Sequence, residues 1–334
     1  MTRLRDTTAA PHTGTVAAMS GKPDEVRDGV GLTNLDAALF DGSESTKRDL
    51  VDYLDGVRDQ ILPVLADRPL SVIRVHRGQE AFMQKNVPTY APDFVRTVTL
   101  HAEASNRDVA YALCDDRPTL LWFANQRAVE FHPALLKADR LDHVTDLVLD
   151  LDPPEGAGFS AVVEVAHAVH EVLDQAGLAA AVKTSGAKGV HIYVPVDEGT
   201  APDDLAAAAR ALAMRTAALI PDVATTAFVK ADRGGKVFVD STRVGGATVV
   251  AAYSPRVRPG TPVSFPVGWD GLDDVDPTDF TVHTALDALA GRDPWAEQMP
   301  APQGLPADVV AEGHEIPVPR VEAMHEGKRR KRQR

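Results

Sequence analysis

Cysteine is almost absent from the sequence, which has one, Cys114, in 334 residues. A single thiol cannot form an internal disulfide, and it cannot build a zinc site that depends on several cysteines. We therefore interpret Cys114 as a small buried hydrophobic residue. The chain also lacks an apolar run near the roughly 20 residues that span a bilayer, and its first 25 residues lack the apolar stretch of a secretory signal. These absences predict a cytoplasmic protein without a membrane segment.

Positive charge is scarce as well, since the formal net charge is -13. A deficit of this size argues against a polyanionic partner, because proteins that bind nucleic acid usually carry a basic surface. The basic residues that exist are concentrated at the end of the chain, where six of the last seven are Lys or Arg. Such a tail is typical of a solubilising or phosphate-attracting segment, so charge alone gives weak support for nucleic-acid binding.

The apolar pattern predicts one large domain with mixed helices and strands, and 44% hydrophobic residues are enough for its core. We expect a flexible arm over residues 1–30, a folded domain over 31–294 and a C-terminal extension with a basic tail over 295–334. The predicted elements follow in order: a helix capped by Ser43 to Thr46, strands within 70–113, a short helix in LLWFANQRAVEF leading to His132, the strand DLVLDLD, a helix from Phe159 to Gly177, the strands AAVKT and VHIYVPV, a helix over 202–219, the strands KVFVD and ATVVAAYS, and a helix over 282–290.

Two acidic residues, Asp150 and Asp152, end the apolar strand in DLVLDLDPPEG. Residues two apart on a strand point to the same face, about 6 to 7 Å apart. Two carboxylates so close repel each other unless a cation lies between them. A solvated strand end is the alternative, but Asp-x-Asp after a strand is also found in magnesium-dependent phosphoryl-transfer enzymes.

A third acid, Asp240, ends the strand KVFVD. If this strand neighbours DLVLDLD, three carboxylates converge at one sheet edge. Such a site could hold two divalent ions, one to activate a 3′-hydroxyl and one to carry a triphosphate.

The loop TSGAKG, residues 184–189, offers what a triphosphate needs. Ser185, two glycines that permit close backbone approach, and Lys188 as a point charge are similar to a phosphate cradle, although the sequence is not a Walker motif. A plain hairpin turn is the alternative. His132, Arg243 and Arg256 are further basic candidates, and each could be an ordinary surface residue.

Several long motifs together resemble the polymerase domain of bacterial ligase D, a member of the archaeo-eukaryotic primase superfamily. The resemblance covers about Leu32 to Leu289 and is carried by LTNLDAALF, FMQKNVP, LLWFANQRAVEFHP, DLVLDLDPPEG, KTSGAKGVHIYVPV, GGKVFVD and AAYSPRVRPGTPVSFPVGWD. It implies an α/β (α+β) fold, a primase-like catalytic core with two sheets flanked by helices. It also implies that Asp150, Asp152 and Asp240 are the catalytic residues and bind two divalent ions, Mn²⁺ or Mg²⁺.

The nucleotide contacts that the resemblance implies are Ser185, Lys188, His132 and Arg256, with Arg243 as an addition. Such an enzyme adds nucleotides, preferably ribonucleotides, to primer ends at short gaps or breaks during DNA repair, including non-homologous end joining.

The aromatic position that packs against a base or template matches Phe82, which suits stacking without sequence preference. The implied partners are gapped or broken DNA, nucleoside triphosphates, and Ku or a separate ligase. The implied state is a nucleoid-associated monomer.

The chain departs from the family in two respects. It shows no Lys-x-Asp-Gly nucleotidyl-transfer motif, so we expect a stand-alone polymerase. Two lysines that the family uses for a downstream 5′-phosphate are Ala37 and Ile73 here, which leaves Lys47 and Arg74, with Arg77, as candidate substitutes.

Two alternatives to a polymerase remain open on the sequence. In a haloacid-dehalogenase-like phosphatase, Asp150 would be the nucleophile and Asp152 the acid/base, but Pro154 stands where that family has Thr or Val, and the SGAKG loop has no role. A non-catalytic nucleic-acid-binding repair scaffold is the other alternative, and retention of all three acids argues against it.

The substitution at Ala37 generates a first prediction. If Ala37 has removed a phosphate contact, Ala37→Lys should increase the advantage that a downstream 5′-phosphate gives to primer extension across a gap. The measurement compares extension on gapped DNA with and without that phosphate. An unchanged ratio in the variant would show that the lysine alone does not restore the pocket.

Overall fold

The computed structural model describes residues 22–76, 78–102 and 106–318. Arg77 and the basic tail lie outside these ranges, as do residues 1–21. Within them, no helix is both long enough and apolar enough to cross a membrane. The helices and strands are, in chain order, β1 (Glu25–Arg27), β2 (Val30–Leu32), α1 (Lys47–Gly56), α2 (Arg58–Leu65), β3 (Leu70–Arg74), β4 (Phe82–Gln84), β5 (Thr97–Ala102), β6 (Arg107–Ala112), α3 (Arg117–Asn125), β7 (Ala128–Pro133), β8 (Leu136–Lys137), β9 (Arg140–Val144), β10 (Asp146–Asp152), α4 (Phe159–Gln175), β11 (Ala181–Thr184), β12 (Val190–Pro195), α5 (Pro202–Leu219), β13 (Ala224–Thr225), β14 (Val237–Asp240), β15 (Pro266–Val267), α6 (Ala285–Leu289), α7 (Pro294–Gln298) and α8 (Ala307–Glu315).

The chain forms two compact units. Among the described residues, the first comprises those up to Ala134 together with Thr248–Val263 and Phe280–Gly291, and the second comprises Leu135–Ala247, Ser264–Asp279 and those from Arg292 on. Each unit has its own larger sheet, one of five strands and one of six. The predicted mixed fold with two sheets and flanking helices is thereby confirmed.

In the first unit, β3 pairs with β4, β6 and β7, and β5 pairs with β6. The predicted cap of α1 is present, because the Thr46 side chain accepts a hydrogen bond from the backbone of Asp49 and the Asp49 carboxylate accepts one from the Thr46 N–H. Leu50 and Tyr53 bury the inner face of this helix, and the Tyr53 hydroxyl donates to the carbonyl of Tyr253. Cys114 is fully buried, as expected.

An N-terminal hairpin, β1 and β2, lies partly within the range predicted to be a flexible arm. Arg27 holds it to α1 through ion pairs with Asp52 at 2.6 Å and Asp55 at 3.2 Å. The arm prediction was therefore wrong for Glu25–Arg27, and its earlier part lies outside the described residues. The sequence does not predict this strand, because a three-residue strand held by ion pairs shows no apolar periodicity.

Two predicted elements of the first unit were wrong. His132 lies on strand β7 rather than at the end of a helix, because α3 ends at Asn125 and the chain turns at Arg127, whose φ is 57°. ATVVAAYS is not a strand: Ala251 donates its N–H to the Phe131 carbonyl of β7, but the positive φ of Tyr253, 69°, then turns the backbone away.

In the second unit the six strands follow the order β13, β14, β10, β12, β11, β15, and every pairing except that of β13 with β14 is antiparallel. Helices α4 and α5 pack on this sheet. Strand β10, which carries Asp150 and Asp152, is an inner strand with β14 on one side and β12 on the other.

The segment after Pro294, predicted to be loop-like, contains α7 and α8. Helix α8 packs against α5, where the Arg215 guanidinium pairs with Glu312 at 2.5 Å and Arg210 donates to the carbonyl of Gly313. A side chain at Gly313 would not fit, because its Cβ would lie 1.9 Å from the carbonyl oxygen of Ala207. The C-terminal extension is therefore partly an integral layer of the second unit.

This close approach yields a second prediction. Gly313→Ala should lower the free energy of unfolding by roughly 2 kcal/mol, because the overlap with α5 outweighs the gain of about 1 kcal/mol in helix propensity. Urea unfolding measures the change. Gly271→Ala is the matched control, since a Cβ there meets no atom within 4 Å. An unchanged unfolding midpoint for Gly313→Ala would show that α8 does not dock this closely.

Candidate active site

The two acid-bearing strands are neighbours. Strands β10 and β14 pair in antiparallel register, with Asp150 directly opposite Asp240 and Asp152 opposite Phe238. Side chains of directly opposed residues lie on the same face, and those of Asp150 and Asp152 share it because they are two apart on one strand. The three carboxylates therefore lie on one face. They lie near the end of an inner strand and not at a sheet edge, which corrects the sequence prediction on that point.

Two arginines accompany the three carboxylates. Arg243 contacts both members of the cross-strand pair, Asp150 Oδ2 at 3.4 Å and Asp240 Oδ2 at 3.3 Å. Arg233 pairs with Asp152 at 3.0 Å and lies over the Phe238 ring, 3.8 Å from its centroid. In the described part of the chain, no three His, Cys, Asp or Glu side chains meet closely enough to hold a metal ion. Guanidinium groups thus supply the positive charge next to the acids.

On its other side Asp150 faces a histidine. His191 lies directly opposite Asp150 on β12, and its Nε2 is 3.3 Å from Asp150 Oδ1. Burial alone would raise the pKa of Asp150, but its contact with His191 and the charges of Arg243 and Lys183 lower it to about 2. Asp150 is therefore ionised at neutral pH although it is largely buried.

A fourth polar residue extends the line across the sheet. Lys183 on β11 lies opposite His191, so Asp240, Asp150, His191 and Lys183 form one cross-strand row over four adjacent strands. Lys183 is fully buried. Sequence reasoning missed Lys183, His191 and Arg233. The available signal was a lysine inside the short apolar strand AVKT and a histidine inside VHIYVP, positions at which polar residues need a partner.

Two of the carboxylates on this face have the chemistry that a divalent cation requires, although, among the residues that the structure describes, the third does not join them in a closed metal cluster. Asp150 and Asp240 are mostly buried, face each other across two strands, and offer the oxygen ligands that Mg²⁺ and Mn²⁺ prefer. Two such carboxylates require positive charge between them, and a cation could replace the guanidinium of Arg243, which is 40% exposed.

The SGAKG loop is the tight turn between β11 and β12, as predicted, and these two strands form an antiparallel hairpin. The Ser185 hydroxyl oxygen accepts the N–H groups of Ala187 and Gly189, which organises the turn. Gly189 lies so close to β10 that a Cβ would be 2.2 Å from the carbonyl oxygen of Leu151. The turn therefore lies against the residue between the two acids, and Lys188 is exposed on it.

In the first unit, two of the predicted phosphate contacts meet at Glu130. The His132 Nε2 lies 2.8 Å from one carboxylate oxygen of Glu130, Arg256 pairs with the same oxygen at 3.1 Å, and the N–H of Val257 donates to the other. Sequence reasoning missed Glu130, although the alternation in EFH places it on the same face as His132. Burial alone would raise the pKa of Glu130, but His132, Arg256 and Val257 lower it to about 2.

Phe82 is at the surface of the first unit, as a base-stacking residue must be. It lies on β4, is 38% exposed and stacks on His76 with ring centroids 5.4 Å apart. The Arg74 guanidinium lies 5.9 Å from its ring centroid. The Phe82 ring is thus held by His76 and Arg74 and is partly exposed to solvent.

The two residues proposed to bind a DNA 5′-phosphate are engaged in the interior of the first unit. Lys47 is buried, donates to the Thr33 carbonyl and to Asn125, and burial lowers its pKa to about 8. Arg74 is buried and donates to Gln84, Tyr90 and Gln126. Both side chains are used in structural contacts, so the structure does not support that prediction.

The chain is similar to proteins of one known family in both sequence and structure. The family model described as the LigD primase-polymerase domain matches residues 46–295. The polymerase domain of Mycobacterium tuberculosis ligase D, solved in complex with DNA, is similar with a TM-score of 0.73 and 33% identity, over 81% of this chain and 97% of that one.

Full-length relatives are similar over part of their length. The bifunctional non-homologous end joining protein LigD of Bacillus subtilis is 32% identical over 77% of this chain and 42% of its own length. The multifunctional repair protein LigD of Mycobacterium tuberculosis is 35% identical over 73% of this chain and 34% of its own. The chain therefore spans less than half of either protein.

The buried Glu130 cluster yields a third prediction. The pKa of Glu130 in the folded protein lies below its ordinary value of 4.5. The ionised carboxylate therefore stabilises the folded state above about pH 4.5, and this contribution is lost as the pH falls towards 2. Glu130→Gln should lower the free energy of unfolding at pH 7 by roughly 3 kcal/mol, and the difference from wild type should shrink below pH 4.5. Urea unfolding at pH 7, 4.5 and 3 measures this. Glu44→Gln, at an exposed site, is the control, and a pH-independent difference would contradict the assignment.

Proposed function

Because the chain belongs to the LigD primase-polymerase family, we propose that it is a DNA-dependent nucleotidyltransferase that extends primer ends at short gaps or breaks during DNA repair. The observation that carries this proposal is the placement of three carboxylates on one sheet face beside the SGAKG turn. The match to this family also argues against the alternative of a haloacid-dehalogenase-like phosphatase.

Polymerases of this family are generally metal-dependent, and Asp150, Asp152 and Asp240 would hold two divalent ions, Mn²⁺ or Mg²⁺. When bound, the ions would lower the pKa of the primer 3′-hydroxyl and neutralise the triphosphate. Asp150, ionised and held between two strands, presents its carboxylate without a change of protonation. Asp152 is more exposed, with half of its side chain accessible, and can exchange Arg233 for another positive partner.

Phosphate binding falls to cationic side chains and to the turn. Lys188 is an exposed point charge on a turn whose backbone is fixed by Ser185, and we assign it to the triphosphate together with Ser185. Arg243, once displaced from the acids, is a further phosphate ligand.

We also propose that His132 and Arg256, which lie in the first unit, bind phosphate. The Glu130 carboxylate contacts both side chains and holds them in fixed positions. Phe82 offers its aromatic face to a base, which is sequence-tolerant because every base has a π-face.

The repair context rests on the relatives, which are named for non-homologous end joining. We propose that the chain acts as a monomer on gapped or broken DNA at the nucleoid, prefers ribonucleotides, and works with Ku or a separate ligase. A preference for ribonucleotides requires a contact to the 2′-hydroxyl.

Primer extension with labelled nucleotides and Mn²⁺ on a gapped template tests the function and supplies a fourth prediction. Asp150→Asn and Asp240→Asn should each reduce extension at least about 100-fold, because a neutral amide cannot balance a cation. Asp142→Asn, at an exposed position on β9, is the matched control and should retain activity.

Two outcomes would count against the proposal. Absence of extension by the wild-type chain with any nucleotide or template would favour the non-catalytic scaffold. Equal efficiency with ribonucleotides and deoxyribonucleotides would remove the sugar preference and leave the polymerase activity intact.

A further inference from the structure

The end of the cross-strand row away from Asp240 has no role in the chemistry above, although it holds a fully buried lysine. Lys183 Nζ lies 2.8 Å from Nδ1 of His191 and 2.6 Å from the hydroxyl of Ser264, to which it donates. Ser264 in turn donates to the carbonyl of Thr184, so this anchor is fixed to the backbone of β11. The structure thus holds a buried ammonium next to the histidine that faces Asp150.

The chemistry of an ammonium group determines what His191 can do. A charged lysine has three donors and no acceptor, so its contact with Nδ1 requires that Nδ1 accept. In a neutral imidazole the hydrogen then lies on Nε2, and it is Nε2 that faces Asp150 Oδ1 at 3.3 Å. The other oxygen of Asp150 is on the Arg243 side, towards Asp240.

We propose that Lys183 is a positioning residue for Asp150: it fixes the tautomer of His191, whose Nε2–H holds one carboxylate oxygen and leaves the other directed at Asp240. The inference rests on the proposed function, since it takes Asp150 as a cation ligand. Lys183 and Asp150 are not opposed residues, so Lys183 acts on the orientation of the Asp150 carboxylate through His191, in addition to the effect of its charge.

The expected size of the effect follows from other metal sites. Groups that orient a ligand without touching the ion typically change metal affinity or activity by 10- to 100-fold when removed. Lys183→Met keeps the length of the side chain and removes every donor. We expect this variant to bind Mn²⁺ about 10-fold more weakly and to recover much of its extension rate at saturating Mn²⁺, whereas Asp150→Asn should not recover.

Nitrogen-15 NMR of the histidine side chains is the direct test, because two-bond correlations distinguish a protonated ring nitrogen from a bare one. The His191 signal is assigned by its absence in His191→Gln. In the wild-type chain we expect hydrogen on Nε2 and a bare Nδ1, and in Lys183→Met a shift towards hydrogen on Nδ1. Hydrogen on Nδ1 in the wild type would overturn the proposal without any variant.

Mn²⁺ titration, followed by the electron paramagnetic resonance signal of free Mn²⁺, is the second test. Lys47→Met is the matched control, since Lys47 is also buried but contacts Thr33 and Asn125. It should leave both Mn²⁺ affinity and the His191 spectrum unchanged. Lys183→Met with wild-type Mn²⁺ affinity would refute the positioning role. If Lys183→Met does not fold, Ser264→Ala, which removes one acceptor of Lys183, should give a smaller shift of the same kind, and no shift would count against the proposal.

These tests separate the inference from the proposed function. The tautomer and the Mn²⁺ affinity are measured without a primer or nucleotide. A chain that shows both effects of Lys183 but never extends a primer would refute the polymerase proposal alone, and a chain that extends primers with a Lys183-independent Mn²⁺ affinity would refute the positioning role alone.

Discussion

Repulsion between two carboxylates that face each other across neighbouring strands is the constraint on which the second unit depends. Asp150 and Asp240 are directly opposed, and neither is well exposed to water that could screen them. The fold places a partner on each side of Asp150: the positive charge of Arg243, from the loop after β14, and the ring Nε2 of His191, from the next strand. The order of strands in the sheet thus arranges charge as well as apolar surface.

Much of this fold was predictable, because its signals are local in the sequence. An apolar run predicted the strand that carries Asp150, alternation predicted the strand that carries His191, and Thr46 indicated the start of α1. The SGAKG turn followed from glycines between two strands. Long motifs in a fixed order then gave the family, so the acids of the site could be named before any geometry was known.

The remainder depends on contacts that no short window of sequence contains. Lys47 donates to Asn125, 78 positions further along the chain, and no local pattern predicts its burial, because lysines usually lie at the surface. Glu130 and Arg256 are likewise distant in sequence, and their shared cluster with His132 exists only after folding. The strand predicted in ATVVAAYS failed because one residue, Tyr253, takes a positive φ that apolar composition does not reveal.

The inner position of β10 has a consequence for motion. A strand that is hydrogen-bonded on both sides opens only when much of its unit unfolds, so its amide hydrogens are among the slowest to exchange with solvent. Arg233 and Arg243 lie on loops and belong to a less protected layer. The strand that carries Asp150 and Asp152 is therefore rigid on the time scale of turnover, while the arginines that pair with these acids can be exchanged for other cations.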